Sequence, residues 1–351
     1  MKIAQIIFNL CLGGSETMLL DIMECQVKQG HDVSLVLINR GHNDTLISKI
    51  PPQVNVFYIN RPNGSINPWY NLKLNRVLKR IAPDVVHIHN NRALALIWKQ
   101  KKVKYLITAH DTGLEFSYAR RADAVCAISN AVKNDLKQRY DIDAQLVYNG
   151  IKINEVAKRI ISEKRDGLFK IIQISRLYHD KKGQDILIKA VALLKNKGFT
   201  NISIDFVGSG PSIEYLKDLA QSNGIGDAVN FLGERSRSEV YTMIREYDLL
   251  VQPSIYEGFG LTVVEGMAAK VPVLVSNNDG PVEIIEYNRY GSCFENGNYI
   301  DCANKIEAII NNYSYYSELA QKDTYNRVVV DFDIEKTAEK YCNEYAKIIY
   351  G

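Results

Sequence analysis

The sequence predicts an α/β protein made of two open, doubly wound parallel sheets, and three observations carry that prediction. The chain has 351 residues, enough for two domains with cores of their own. Short apolar runs bounded by turn residues alternate with longer amphipathic stretches, the pattern of repeated strand and helix units. That alternation stops over residues 150–167, a charged stretch without a clear strand, and then begins again.

Taken in order, the expected strands of the first half are residues 3–8, 33–38, 54–59, 85–88, 105–108, 124–128 and 146–148, with helices over 16–29 and 130–139. The second half repeats the rhythm with strands over 169–174, 202–207, 229–232, 249–252 and 271–275, and helices over 184–195 and 211–220. After Asp301 the pattern turns helical and Tyr-rich, and Ala338, Tyr341, Cys342, Tyr345 and Ile348 form the apolar stripe of a terminal helix. Domains are therefore expected at 1–150 and 169–334, with a connection over 151–168 and the terminal helix, about 335–351, returning to the first domain. Two such sheets facing one another create a cleft, and ligands bind open α/β sheets outside the carboxyl ends of the strands. The chemistry should lie in loops that follow strands.

Composition excludes several classes. With 46% hydrophobic and 24% charged residues, 22 Gly and 9 Pro, the chain is neither disordered nor collagenous. The net charge of +3 gives no electrostatic case for nucleic acid. It conceals an asymmetry: residues 1–150 hold 19 Lys and Arg against 12 Asp and Glu, net +7, and the remainder 24 against 28, net −4. The six cysteines are scattered, with no Cys-x-x-Cys pair, which suits reduced structural thiols and indicates no metal site. MKIAQIIFNL runs straight into a strand without a cleavage signal, and no stretch reaches the roughly 20 apolar residues that span a bilayer. The expected location is cytoplasmic, or peripheral on the inner face of the cell membrane.

The most informative segment is SIYEGFGLTVVEGMAAKVPVLVS. Glu257 follows a strand, and Glu265 stands eight positions later on the helix introduced by Gly258, Phe259 and Gly260. The glycines admit close backbone approach, and the first amides of the helix, at Leu261 and Thr262, suit a phosphate. One carboxylate can hold sugar hydroxyls while the other reaches a ribose diol. The plainer alternative is that both only cap and solvate a helix end; two of them flanking Gly-x-Gly argue against it. Arg176 ends another strand, and Lys181 and Lys182 precede Gly183, a fork and a mobile point charge suited to a diphosphate. Gly208 and Gly210 in GSGP close a further strand, without the spacing of a nicotinamide fingerprint.

In the first half, Gly13 and Gly14 follow strand one, either as a phosphate approach or as an ordinary strand-to-helix turn. His110, with Asp111 at a strand end, can donate to a substrate hydroxyl or buffer a proton, or be structural. His87 and His89 are expected to face opposite sides of their strand, His89 either reaching the cleft or buried and satisfied.

These residues together resemble glycosyltransferase family 4, retaining enzymes of GT-B architecture, two Rossmann-like domains facing a cleft. The matching elements run in order through most of the chain: GGSE, HIHN, AHD, AISN, NGI, SRL with KKG, GSGP, FLG and EGFGLTVVEGMAAKVPV, whose two glutamates form the E-x7-E motif. The resemblance implies that the second domain binds a nucleotide-sugar, UDP-linked by family precedent, and that the first binds the acceptor. It makes Arg176 and Lys182 the diphosphate ligands. Glu257, with the backbone of Phe259, Gly260 and Leu261, would hold the transferred sugar, Glu265 the ribose, Gly14 the diphosphate and His110 the sugar. Cationic side chains and helix amides would replace a divalent metal, so no metal or cofactor is expected. Front-face attack, with the departing phosphate accepting the acceptor proton, would retain configuration.

The sequence departs from the family pattern at Ser175, where Gly is commoner, and in the short segment between His110 and Ala124, where many relatives carry a longer acceptor-side insertion. The implied acceptor is a saccharide or lipid-linked saccharide of surface polysaccharide, lipopolysaccharide or glycolipid synthesis, and the transferred unit a hexose or N-acetylhexosamine. Arg76, Lys79, Arg80, Lys99, Lys101, Lys102 and Lys104, near Trp69 and Tyr70, suit an anionic membrane surface or simply a solvated basic face. A non-catalytic binding subunit and a nucleotide-sugar epimerase are the alternatives.

Overall fold

In the computed structural model, which describes residues 1–11, 13–160 and 167–351, the chain divides into two compact units, Met1–Ile151 with Asp333–Gly351, and Lys152–Phe332. Each is built on one fully parallel sheet. The first holds β1 (Lys2–Ile7), β2 (Asp32–Asn39), β3 (Asn55–Arg61), β4 (Val85–Ile88), β5 (Lys104–Ala109), β6 (Ala124–Ala127) and β7 (Gln145–Leu146), in the order β3-β2-β1-β4-β5-β6-β7. The second holds β8 (Phe169–Ile174), β9 (Ile202–Val207), β10 (Val229–Gly233), β11 (Leu249–Gln252), β12 (Val273–Ser276) and β13 (Ser292–Phe294), in the order β10-β9-β8-β11-β12-β13. In both, the order reverses beside the first strand, which is the doubly wound arrangement.

The strands read as continuous apolar runs because both faces are covered. β1, β4, β5 and β11 are buried along nearly their whole length. In the second unit, Ile171, Ile204, Phe206, Leu249, Val251 and Leu274 of the sheet share one core with the helices Gln184–Asn196 and Tyr299–Asn311. Two elements differ from expectation. β13 is only three residues long, too brief for a periodicity signal, and pairs with β12. The helix expected over 211–220 begins at Ile213, because Gly210 to Ser212 form a turn.

Of the stretch read as a connection, residues 161–166 lie outside the described residues, while Ile153 and Val156 are buried within the second unit and Ala157 N donates to Tyr241 O (3.0 Å). The terminal helix Ile334–Tyr350 packs Ile334, Ala338, Tyr341 and Tyr345 against Ile3, Ile22, Val85 and Leu106 of the first unit. Its start is pinned three ways: Asp333 caps Glu335 N (2.9 Å), Ile334 N donates to Ile151 O (3.0 Å), and Thr337 Oγ1 donates to Tyr148 O (2.9 Å). Gly150 is required there, since a β-carbon would stand 2.5 Å from Thr337 Oγ1 and 2.9 Å from the Asp333 carbonyl.

The six cysteines are unpaired thiols; Cys25, Cys126, Cys302 and Cys342 are buried, and burial pushes all four up, Cys25 to about 11. Among the described residues no helix is long and apolar enough to cross a membrane.

Candidate active site

Parallel pairing brings the carboxyl ends of β8, β9 and β11 to one edge of the second sheet, and the loops leaving them are bonded to each other. Ser175 N donates to Val207 O (3.0 Å), Leu177 N to Ser209 O (2.8 Å) and Ile255 N to Lys181 O (2.9 Å). Two glycines in left-handed conformations make this possible. A β-carbon on Gly183 (φ +64°) would stand 1.9 Å from Pro253 O, and one on Gly208 (φ +136°) 2.0 Å from Ser175 O. The room that Gly208 and Gly210 create is thus taken by protein backbone, with Leu177 O lying 2.2 Å from a β-carbon on Gly210. They are expected as ligand-approach glycines; in the structure they let the β9 loop seat on the β8 loop.

On this platform Lys182 Nζ meets Glu257 Oε2 at 2.5 Å, with the two side chains 18% and 19% exposed. Gln252 Nε2 donates to the same oxygen (3.2 Å) and to Ser254 Oγ (2.8 Å), and Thr262 Oγ1 donates to Gln252 Oε1 (3.1 Å). The expected diphosphate ligand and the expected sugar ligand are therefore bonded to one another. Arg176 is exposed, and its guanidinium has no partner among the described residues. Its backbone is held from beneath by the buried Gln184, whose amide donates to Arg176 O (3.0 Å) and Ser175 Oγ (2.9 Å). Gln173, equally buried, donates to Lys182 O (2.8 Å). These three glutamines are the residues the motif reading missed; the signal was one amide in each otherwise apolar run, IIQI and LLVQ, and at the start of the helix after Gly183.

The helix Leu261–Ala268 starts at Gly260, left-handed at φ +108°, with no side-chain cap. Its first bonds run from Val263 and Val264 N to Gly260 O, leaving the amides of Leu261 and Thr262 outside the ladder. Phe259 is buried with its ring 5.8 Å from that of Phe332, so the Gly258-Phe259-Gly260 turn is anchored by one aromatic side chain. Glu265 is half-buried one turn farther along, and its carboxylate accepts no hydrogen bond among the described residues. Burial pushes its carboxyl up to about 7, opposed by the Arg237 charge.

In the first unit, Gly13 and Gly14 open the helix Gly14–Lys28, and Leu12 before them lies outside the described residues. The space beside Gly13 belongs to an acidic side chain: a β-carbon there would stand 2.4 Å from Glu16 Oε2, to which Ser15 Oγ donates (2.7 Å). His110 follows β5. Its Nε2 is 3.2 Å from His89 Nδ1, its Nδ1 has no partner among the described residues, and burial lowers the ring to about 4, so it is neutral near pH 7 and does not buffer there. The expectation that His87 and His89 face opposite sides fails, because residues two apart share a face of a strand. Their ring centroids are 4.2 Å apart; His89 is half-buried and bonded to Gln5 and His110. The short segment after His110 is a 3-10 turn, Ser117–Arg121, anchored by the buried Phe116.

A cavity of about 800 Å³ lies against Phe169 and Ile202, the first residues of β8 and β9, and thus at the sheet edge opposite these loops. It contains none of the motif residues.

The Glu265 shift fixes a pH dependence. Its carboxyl is raised from 4.5 to about 7 on folding, so between those values the folded protein holds a proton that the unfolded chain has released. Stability from this group is full below about pH 4.5 and declines as pH rises through 7, by a few kcal/mol. In urea titrations Glu265→Gln should be more stable relative to wild type at pH 8 than at pH 4; a pH-independent difference contradicts the shift.

The site can be set beside known proteins. A model of "Glycosyltransferase Family 4" matches residues 12–155 and one of "Glycosyl transferases group 1" residues 155–325. An uncharacterised glycosyltransferase of Haemophilus influenzae is 24% identical, over 97% of this chain and 98% of its own. Anabaena HepE, solved in complex with UDP-glucose, superposes with a TM-score of 0.80 at 22% identity, covering 99% of each chain. The lipopolysaccharide outer core galactosyltransferase WaaB, solved in its apo form, gives 0.77 at 18% identity, over 98% of this chain and 99% of that one. The two family models together span residues 12–325, and the chain belongs to the group 1, family 4 glycosyltransferases, with the GT-B fold.

Proposed function

We propose that the protein is a retaining hexosyltransferase that moves a hexose or N-acetylhexosamine from a UDP-sugar to a saccharide or lipid-linked saccharide of a surface polymer. The observation that carries this reading is the pairing of Lys182 with Glu257, together with an Arg176 guanidinium that has no partner among the described residues and an uncapped helix start. A diphosphate offers Lys182 a second anion and Arg176 its first, while Glu257 turns its free oxygen to sugar hydroxyls. The Leu261 and Thr262 amides supply further donors to phosphate, and Glu265 accepts a ribose diol, bonds that favour its charged form. In the transfer, the sugar C1–O bond to the diphosphate breaks as the acceptor oxygen bonds C1 on the same face. The departing phosphate takes the acceptor proton. Arg176 and Lys182 stabilise the charge that develops on the leaving group, the part a divalent metal plays elsewhere. HepE, solved with UDP-glucose, and WaaB, a galactosyltransferase, support the donor class.

The experiment is acceptor-dependent release of nucleoside diphosphate. Glu257→Ala and Arg176→Ala should each lower it by roughly a hundredfold or more. Wild type releasing none from a broad panel of nucleotide-sugars would instead favour a binding subunit, and donor conversion without acceptor an epimerase.

The acceptor reading includes an anionic membrane surface. Arg76, Lys79 and Arg80 are exposed on the helix Pro68–Ile81, and Lys101 and Lys102 are exposed after it. Among them stand Ile66, Trp69 and Trp98, 98%, 53% and 57% exposed, and Trp98 N is bonded to Asn75 of that helix (2.7 Å). Lys99, by contrast, is paired with Asp123 (3.5 Å). Basic residues around exposed tryptophans match the headgroup layer. The protein should co-sediment with phosphatidylglycerol vesicles at physiological salt, and Trp98→Ser with Arg76→Ser should weaken this about tenfold; no binding by wild type removes the membrane from the account.

A further inference from the structure

A line of buried polar side chains runs inward from His110, and each of its hydrogen bonds has one direction. Gln5 Nε2 donates to Gln26 Oε1 (3.0 Å) and to Tyr345 OH (3.4 Å), and Gln26 Nε2 donates to the same hydroxyl (3.3 Å). Gln5 therefore offers His89 Nε2, 2.9 Å away, its carbonyl oxygen, and His89 carries its proton on Nε2. Burial, reinforced by His87 and His110, lowers His89 far below the ordinary range, so it is neutral and has a single N–H. Its Nδ1 is then a bare acceptor. The Nε2 of His110 that faces it at 3.2 Å must donate.

The other branch closes consistently. Tyr345 OH, accepting from both amides, gives its proton to His87 Nδ1 (2.7 Å); His87 Nε2 donates to Thr108 Oγ1 (2.8 Å), and that hydroxyl to Tyr341 OH (3.2 Å). The rings form a line, not a convergent cluster, and no group of three or more His, Cys, Asp or Glu is placed to hold a metal among the described residues. At the outer end one atom is left over: His110 Nδ1, buried and without a partner among the described residues.

We propose that Gln5 and His89 are positioning residues that lock His110 in its Nε2–H tautomer and so present Nδ1 as an acceptor to a ligand hydroxyl. The role is the reverse of donation to a substrate, which the sequence suggested. The ligand rests on the functional reading above, in which it is a sugar hydroxyl; the tautomer does not.

The test is ¹⁵N NMR of the histidine rings in the ligand-free full chain at about pH 7, with His110 assigned by its loss in His110→Phe. Wild type should show Nε2 protonated and Nδ1 unprotonated. His89→Leu should mix the two tautomers and weaken UDP-sugar binding about fivefold, the worth of one neutral hydrogen bond, and His89→Asn, which restores an acceptor near the Nδ1 position, should recover both. An Nδ1–H tautomer in wild type, or an unchanged His110 spectrum in His89→Leu, overturns the lock. A locked tautomer with full UDP-sugar affinity in His110→Ala overturns the hydroxyl contact alone, so the lock and the functional reading fail separately.

Discussion

The contact on which the candidate site depends is the ion pair between Lys182 and Glu257, because it ties together two loops that share no sequence neighbourhood. Such a pair is stable when both partners are further hydrogen-bonded and unfavourable when one is left alone. Here Gln252 supports the carboxylate and Gln173 fixes the backbone of the lysine. The loops can come this close only because Gly183 and Gly208 have no β-carbon against the Pro253 and Ser175 carbonyls. Packing thus sets the charge geometry, and the charge geometry leaves Arg176 and Glu265 with capacity for a ligand.

The first unit solves a different problem. Its sheet carries histidines at the ends of two adjacent strands, and three imidazoles beside one another, His87 buried and His89 and His110 partly so, would be unfavourable if charged. Burial keeps them neutral, and Tyr345, Thr108 and Gln5 bond the inward nitrogens of His87 and His89, with Tyr341 and Gln26 bonded behind them. The terminal helix supplies the tyrosines, which explains why it returns to this unit: it closes the core and completes the network with the same face.

How much of this was legible in the sequence follows from the kind of signal each part leaves. The alternation of apolar runs and amphipathic stretches reveals both sheets, since a strand covered on both faces cannot read otherwise. β13 escaped because three residues cannot show a period. The E-x7-E positions and the Arg and Lys loop were visible as motifs, but a motif names residues without their partners. That Lys182 bonds Glu257, that glutamines brace the loops, and that Gly208 serves packing depend on contacts between distant segments. His87 and His89 carried a legible signal that was misread, since a spacing of two puts both rings on one face.

The proposed transferase function rests on a nucleotide-sugar binding at the second unit's loops. A thermal-shift titration tests this most directly, because a ligand that binds the native state adds about 2.7 kcal/mol at a hundredfold excess over Kd. The account predicts that a UDP-sugar raises the Tm of wild type in proportion to the logarithm of its concentration, and that the rise is largely lost in Arg176→Ala and in Glu265→Ala. A flat Tm across a panel of nucleotide-sugars, or equal rises in wild type and both variants, would contradict it.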